Sequence, residues 1–139
     1  MFKRILVGFD GSKPSRKALQ VALELAEVFR GEVTLLTIVR PPEFAELEQE
    51  IEGVLEEEKS LLVQAFSQAR AVARERGVTL HVHRRVGHPA DVLVRYAEEA
   101  HSDLIVLGRR GLTAVQRWML GSVSERVLRY ANCPVMVVH

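Results

Sequence analysis

Ser102-Asp103-Leu104-Ile105-Val106-Leu107-Gly108-Arg109-Arg110-Gly111, followed after nine further residues by Gly121-Ser122, is the stretch on which the reading of this chain turns. Four apolar residues in a row behind a polar lead read as a buried strand. Glycines at a strand end let the backbone approach a ligand closely and bare its N–H groups. Arg109 and Arg110 add positive charge, and a hydroxyl residue after the third glycine suits a helix opening. Ser122-Val123-Ser124-Glu125 has the form of a capping box with Ser122 as N-cap. The amides of Val123 and Ser124, and the positive end of the helix dipole, would then face the Gly108 loop. Together these are the parts of a phosphate cradle. A rival box, Thr113-Ala114-Val115-Gln116, leaves open where the helical turns lie between Gly111 and Gly121.

Outward from that stretch the chain alternates strand and helix. Phe2 to Phe9 reads as a buried strand, turned by Asp10-Gly11-Ser12, with Ser12 as N-cap and Pro14 in the first turn of a helix. Ala18, Leu19, Ala22, Leu25, Ala26 and Phe29 recur at helical spacing, and Gly31 is expected to stop that helix. Glu32 to Val39 is a second strand, ended by Pro41-Pro42. Apolar positions from Leu47 to Ala73 mark a long amphipathic helix, which Gly53 is expected to interrupt and Gly77 to end. Thr79 to Val86 is a third strand whose alternation of Leu80 and Val82 with His81 and His83 suits an edge. Pro89 opens a helix, Leu104 to Leu107 is a fourth strand, Ser122 to Tyr130 a last helix and Pro134 to Val138 a last strand. The order βαβαβαβαβ implies an α/β fold with a parallel sheet covered on both faces. Ligands in such sheets sit beyond the carboxyl ends of the strands, where the strand order reverses. The Asp10 turn and the Gly108 loop both follow strands, so both lie on that rim.

Composition narrows the function classes. A chain of 139 residues, 47% hydrophobic and 27% charged, suits one domain with a proper core. Its longest apolar runs are far too short to span a bilayer. Met1 to Gly8 reads as a first strand rather than a signal peptide, because the apolar run ends at once in Asp10. A single cysteine, Cys133, allows no internal disulfide and fits a cytoplasmic location. A formal net charge of +1 argues against wholesale nucleic-acid binding.

The other chemistry-bearing residues have simpler explanations. A lone G-x-x-G says little, and Gly8 with Gly11 makes a second one; the added Gly121-Ser122 is what makes the pattern informative. Neither a P-loop nor a G-x-G-x-x-G fingerprint occurs, so a nucleotide would be held by a different loop geometry. Asp10 is suited to steadying the helix that starts near Ser12. His81 and His83 share a strand face, but no carboxylate or cysteine is expected to neighbour them, and a wet edge explains them better than a metal. His88 precedes Pro89 near the rim, where helix capping is its expected role. Cys133 reads as a small buried hydrophobe rather than a nucleophile. The glutamates of residues 43–58 read as a solvated helix face, with a lid over the nucleotide as the sharper alternative.

The motifs quoted above resemble the universal stress protein family in its ATP-binding branch. The likeness runs the full length, through Ile5-Leu6-Val7-Gly8-Phe9-Asp10-Gly11-Ser12, Leu35-Leu36-Thr37-Ile38-Val39, Gly87-His88-Pro89 and Cys133-Pro134-Val135-Met136-Val137-Val138. Its decisive part is G-x2-G-x9-G-[S/T], complete as Gly108, Gly111, Gly121 and Ser122. The resemblance implies one universal stress protein domain over residues 1–139. It would be a single-domain, five-stranded parallel sheet in the order 3-2-1-4-5 with helices on both faces, an adenine nucleotide alpha hydrolase-like, Rossmann-like fold. It implies ATP, with or without Mg²⁺, in the crevice between strands one and four. Asp10 would bond the ribose or adenine end, and Gly8 and Ile38 would line the adenine pocket, with Ile38 offering backbone groups. Leu107, Gly108, Arg110 and Gly111 would wrap ribose and phosphates, and Gly121, Ser122 and Val123 would hold the β- and γ-phosphates. It also implies a homodimer through the last strand, Val135, Met136, Val137 and Val138, a hydrophobic edge that invites pairing.

Two functions follow. The first is an ATP-binding switch in the stress response, with no catalytic residues and no resident metal. The alternative is a slow ATPase or a phosphoryl- or adenylyl-transfer enzyme. Efficient phosphoryl transfer needs a positioned base and carboxylate-held Mg²⁺, and Asp10 is the one candidate carboxylate near the cradle.

Overall fold

Ile5, Leu6 and Val7 are sealed from solvent on both faces, which is what a central strand of a covered parallel sheet demands. The computed structural model describes residues 1–40, 48–109 and 121–139. Those three residues lie in β1 (Arg4–Gly8), followed by α1 (Lys13–Phe29), β2 (Glu32–Val39), α2 (Glu48–Glu75) and β3 (Leu80–Val86). Then come α3 (Pro89–Glu99), β4 (Leu104–Gly108), α4 (Ser122–Tyr130) and β5 (Val135–Val138). The strands form one five-stranded sheet in the order β3-β2-β1-β4-β5. All four pairings are parallel, with Val7 opposite both Leu35 and Val106.

Side-chain alternation divides the core between two faces. Ile5, Val7, Val33, Leu35, Leu104 and Val106 pack against α1 and α2, with Ala18, Ala22, Leu23, Ala69 and Ala73 facing them. Leu6, Leu36, Ile105 and Leu107 turn to the other face, onto Leu93 and Ala97 of α3 and Val127 of α4. β3 is an edge strand, as its alternation predicts: Leu80 and Val82 pack on the core, while His81 and His83 are exposed.

Three local expectations need correction. α2 runs through Gly53 without a break. One glycine costs a helix only about 1 kcal/mol relative to alanine. That is outweighed by burial of Ala65, Ala69 and Ala73, spaced one turn apart on the sheet-facing side.

Gly31 does not end α1 by adopting the left-handed conformation; Arg30 does, at φ 55°. The amides of Arg30 and Gly31 both bond Ala26 O, closing the helix. Position 31 excludes a side chain for another reason: a Cβ there would lie 2.4 Å from Phe2 O, where the chain crosses the start of β1.

The expected capping box at Ser122 is not the cap that forms. Gly121, extended at φ −61° and ψ 154°, is the N-cap of α4 and makes no side-chain bond, so Ser122 is the first helical residue.

Candidate functional site

The helices that follow β1 and β4 lie on opposite faces of the sheet, so the chain parts where these two strands end. That is the switch point at which α/β sheets leave a crevice. Local bonds hold its walls. Phe9 N–H donates to Leu36 O at 3.0 Å and the buried Thr37 hydroxyl to Phe9 O at 2.8 Å, pinning the exit of β1 against β2. Ser12 caps α1 by accepting the Ser15 amide, and its own N–H donates to Asp10 Oδ1 at 2.9 Å. Asp10 thus organises the turn that leads into α1.

A cleft of about 560 Å³ opens at this rim. Of the residues expected in the site, Gly8, Asp10, Ile38, Leu107, Gly108, Gly121, Ser122 and Val123 line it together. Arg110 and Gly111 lie outside the described residues, as do the Thr113–Gln116 box and residues 43–47 of the glutamate run. Arg109 is not among the lining residues: its amide donates to Val138 O and its Nη1 lies 3.0 Å from His139 Nδ1, so it faces β5. His88 is the N-cap of α3, without a side-chain cap bond, and it is the neighbouring Pro89 that borders the cleft.

The lining has an apolar end and a polar end. Leu36, Ile38, Leu93 and Leu107 make the first. The start of α4 makes the second. The first return bond of that helix runs from Glu125 N–H to Gly121 O. The amides of Ser122, Val123 and Ser124 precede that bond and crown the positive end of the helix dipole.

The glycines on the rim serve different ends. A Cβ on Gly8 would press Leu107 Cδ2 at 2.8 Å, a flexible neighbour. On Gly108 it would fall 2.3 Å from Pro14 O, so β4 and the first turn of α1 touch there backbone to backbone. On Gly121 it would meet no atom of the described residues within 4 Å, and the backbone at 121 is one any residue can adopt. Among the described residues neither packing nor conformation demands glycine at 121, where the residue borders the open space of the cleft.

Sequence reasoning missed Arg40, Pro89, Leu36 and Leu93 as lining residues. Arg40 and Pro89 stand near the carboxyl ends of β2 and β3, and the rule that strand ends build the rim would have found them. It also missed a carboxylate beside the edge histidines: Glu32 Oε2 lies 3.3 Å from His81 Nε2, brought there by the β2–β3 pairing. Among the described residues no group of three His, Cys, Asp or Glu side chains could hold a metal ion. No described helix is long and apolar enough to cross a membrane. Away from the cleft, burial, and secondarily the Asp103 carboxylate, push the Cys133 thiol pKa up.

A wholly parallel 3-2-1-4-5 sheet with a cleft at its switch point defines a doubly wound α/β binding fold. The family model of the universal stress protein family matches residues 1–139, and the chain belongs to that family. It is 37% identical over 143 residues to a universal stress protein of Methanocaldococcus jannaschii, a match covering 99% of this chain and 82% of that one. Among solved structures, the universal stress protein UspA from Lactobacillus plantarum aligns at a TM-score of 0.85 and 25% identity, covering 99% of this chain and 98% of its own. A universal stress protein in complex with cAMP aligns at 0.76 and 28% identity, covering 99% and 97%.

Proposed function

We propose that this chain is a nucleotide-dependent regulatory switch whose ligand is an adenine nucleotide, ATP before others. The observation that carries the reading is the start of α4, with Gly121 clear of other atoms of the described residues, at one wall of a cleft whose other walls are the exits of β1 and β4. The base would lie at the apolar end, on Gly8 and the backbone of Ile38, with Asp10 toward the ribose. Leu107, Gly108, Arg110 and Gly111 would wrap ribose and phosphates, and Gly121, Ser122 and Val123 would hold the terminal phosphates on their amides. A structural neighbour 28% identical to this chain is in complex with cAMP, an adenine nucleotide, which supports this class of ligand.

A switch fits the lining better than an efficient enzyme. Asp10 is the one carboxylate among the described residues of the cleft, and it already accepts the Ser12 amide. Mg²⁺ arriving with a triphosphate would be held mainly by phosphate oxygens. The reading includes a cytoplasmic protein that dimerises through β5.

Mass spectrometry of nucleotide carried through purification, with calorimetric titration by ATP, ADP, AMP and cAMP, tests the assignment. The expected result is near-stoichiometric ATP and little ADP after incubation with Mg²⁺. Absence of binding at millimolar nucleotide would reject the ligand; many turnovers per minute would replace the switch by an enzyme.

A further inference from the structure

Arg16 of α1, Arg40 just past β2 and Arg84 of β3 line a second hollow of about 720 Å³, on the α1–α2 side of the rim. Ile38, Leu62 and Ala65 give it an apolar floor, and Gln64 and Gln68, one turn apart on α2, add side-chain amides. Arg76 beside Glu24 and Glu27, Arg126 beside Asp91 and Arg129 beside Glu125 are the described arginines paired with acids. Arg16, Arg40 and Arg84 have no carboxylate partner among the described residues. Arg16 Nε donates to Gly11 O at 2.9 Å, which steadies its guanidinium at the edge of the hollow. Asp10 is the one acid among the described lining residues, and its Oδ1 is taken by Ser12 N–H. Asp10, Ser12, Ile38 and Arg40 line this hollow and the cleft alike, so the two are contiguous.

We propose that this basin is a second anion site, suited to an oligophosphate chain. Three guanidiniums from three separate elements border this one hollow, none paired with a carboxylate among the described residues, and each can grip phosphate oxygens with a planar fork. The size of the hollow is that of a small-molecule site rather than of a single-ion seat. An oligophosphate could reach it free in solution, or as the far end of a ligand whose nucleoside occupies the cleft. Only the second source rests on the nucleotide reading.

Calorimetry on the full chain separates the sources. Inorganic tripolyphosphate is titrated into Gly121→Val, which obstructs the phosphate end of the cleft, and into Gly121→Val carrying Arg84→Gln. Arg84 is exposed and lines the basin but not the cleft. Binding to the first variant that weakens about tenfold in the second marks a free oligophosphate site, the size expected for one charge-assisted contact. In the other arm, diadenosine tetraphosphate is compared with ATP on the wild-type chain and on Arg84→Gln. A dinucleotide preference of about tenfold or more, erased by Arg84→Gln, marks a bridging ligand. If tripolyphosphate ignores Arg84 or fails to bind Gly121→Val, and the dinucleotide shows no Arg84-dependent preference, the basin is no anion site. Loss of ATP binding by the wild-type chain, with Arg84-dependent tripolyphosphate binding intact, would instead remove the nucleotide reading and leave the basin.

Discussion

Gly108 and Pro14 meet backbone to backbone: a methyl group on Gly108 would sit 2.3 Å from the Pro14 carbonyl oxygen and 2.4 Å from its carbonyl carbon. The first glycine of the motif is therefore held by the fold itself, whatever the cleft binds. Main-chain atoms cannot swing aside as a leucine tip can, so Gly108→Ala must push α1 away from β4. Overpacking of this kind costs about 1–3 kcal/mol. Urea unfolding should show an earlier midpoint for Gly108→Ala, and an unchanged midpoint would mean that the two elements are not in rigid contact.

Gly121 gives the opposite expectation. A Cβ there would meet no atom of the described residues within 4 Å and the backbone is one any residue adopts, so the fold should survive valine with no more than the modest loss of a poorer N-cap. Its side chain would stand at the mouth of α4, where the terminal phosphates are proposed to lie. Titration of Gly121→Val should show ATP affinity reduced by about a hundredfold or more, the scale of losing two or more amide contacts to a charged group. Wild-type affinity in a folded variant would move the phosphates elsewhere.

The contrast between these two glycines marks what the sequence could and could not show. The parallel sheet, with the Asp10 turn and the Gly108 loop both on its carboxyl rim, was legible from runs such as Leu104 to Leu107 and the alternation of strand and helix. The strand order that brings the two together came with the family resemblance. The reasons behind single residues were not. G-x2-G-x9-G-S treats Gly108 and Gly121 alike, yet one answers to Pro14 while the other touches no atom of the described residues. Gly31 looks like a helix stop, while the left-handed turn belongs to Arg30 and the glycine answers to Phe2, 29 positions away in sequence. Glu32 beside His81 and Arg40 on the rim likewise depend on which strands pair. Local pattern carries periodicity, whereas close approach between distant segments is a property of the assembled sheet.

Asp103 couples the two central strands to the one thiol. Its carboxylate accepts the amides of Lys3 at 2.8 Å and Arg4 at 3.1 Å, and its own N–H donates to Arg4 O, fastening the start of β1 to β4. Asp103→Ala should lower stability by about 1 kcal/mol, because both bonds are exposed and water can take up the freed amides. The same carboxylate is the second cause, after burial, of the raised Cys133 pKa. Thiolate alkylation should therefore begin at higher pH than for an ordinary thiol, and Asp103→Asn should shift its onset only part of the way back, because burial remains. The sign for stability follows. A folded-state thiol that holds its proton more tightly than the unfolded one adds no slope at low pH. It lowers stability as pH climbs from the ordinary thiol value through the raised one. Cys133→Ala should flatten that decline; an identical decline in the variant would assign it to other groups.

β5 tests the proposed dimer at the level of single amides. Ile105 N–H donates to Pro134 O and Arg109 N–H to Val138 O, so residues 134, 136 and 138 turn their backbone groups toward β4. The alternate residues, Val135 and Val137, turn theirs to the outer edge, which carries no further strand among the described residues. A second copy pairing antiparallel along that edge would use the Val137 amide. Val137→Pro deletes that donor and leaves the β4 ladder its own bonds, the one kind of strand position where proline is tolerated. Light scattering should find the wild-type chain dimeric and Val137→Pro largely monomeric, with the helical circular dichroism of the two alike. A proline variant that stays dimeric would place the interface off this edge, and a wild-type monomer would remove the dimer altogether.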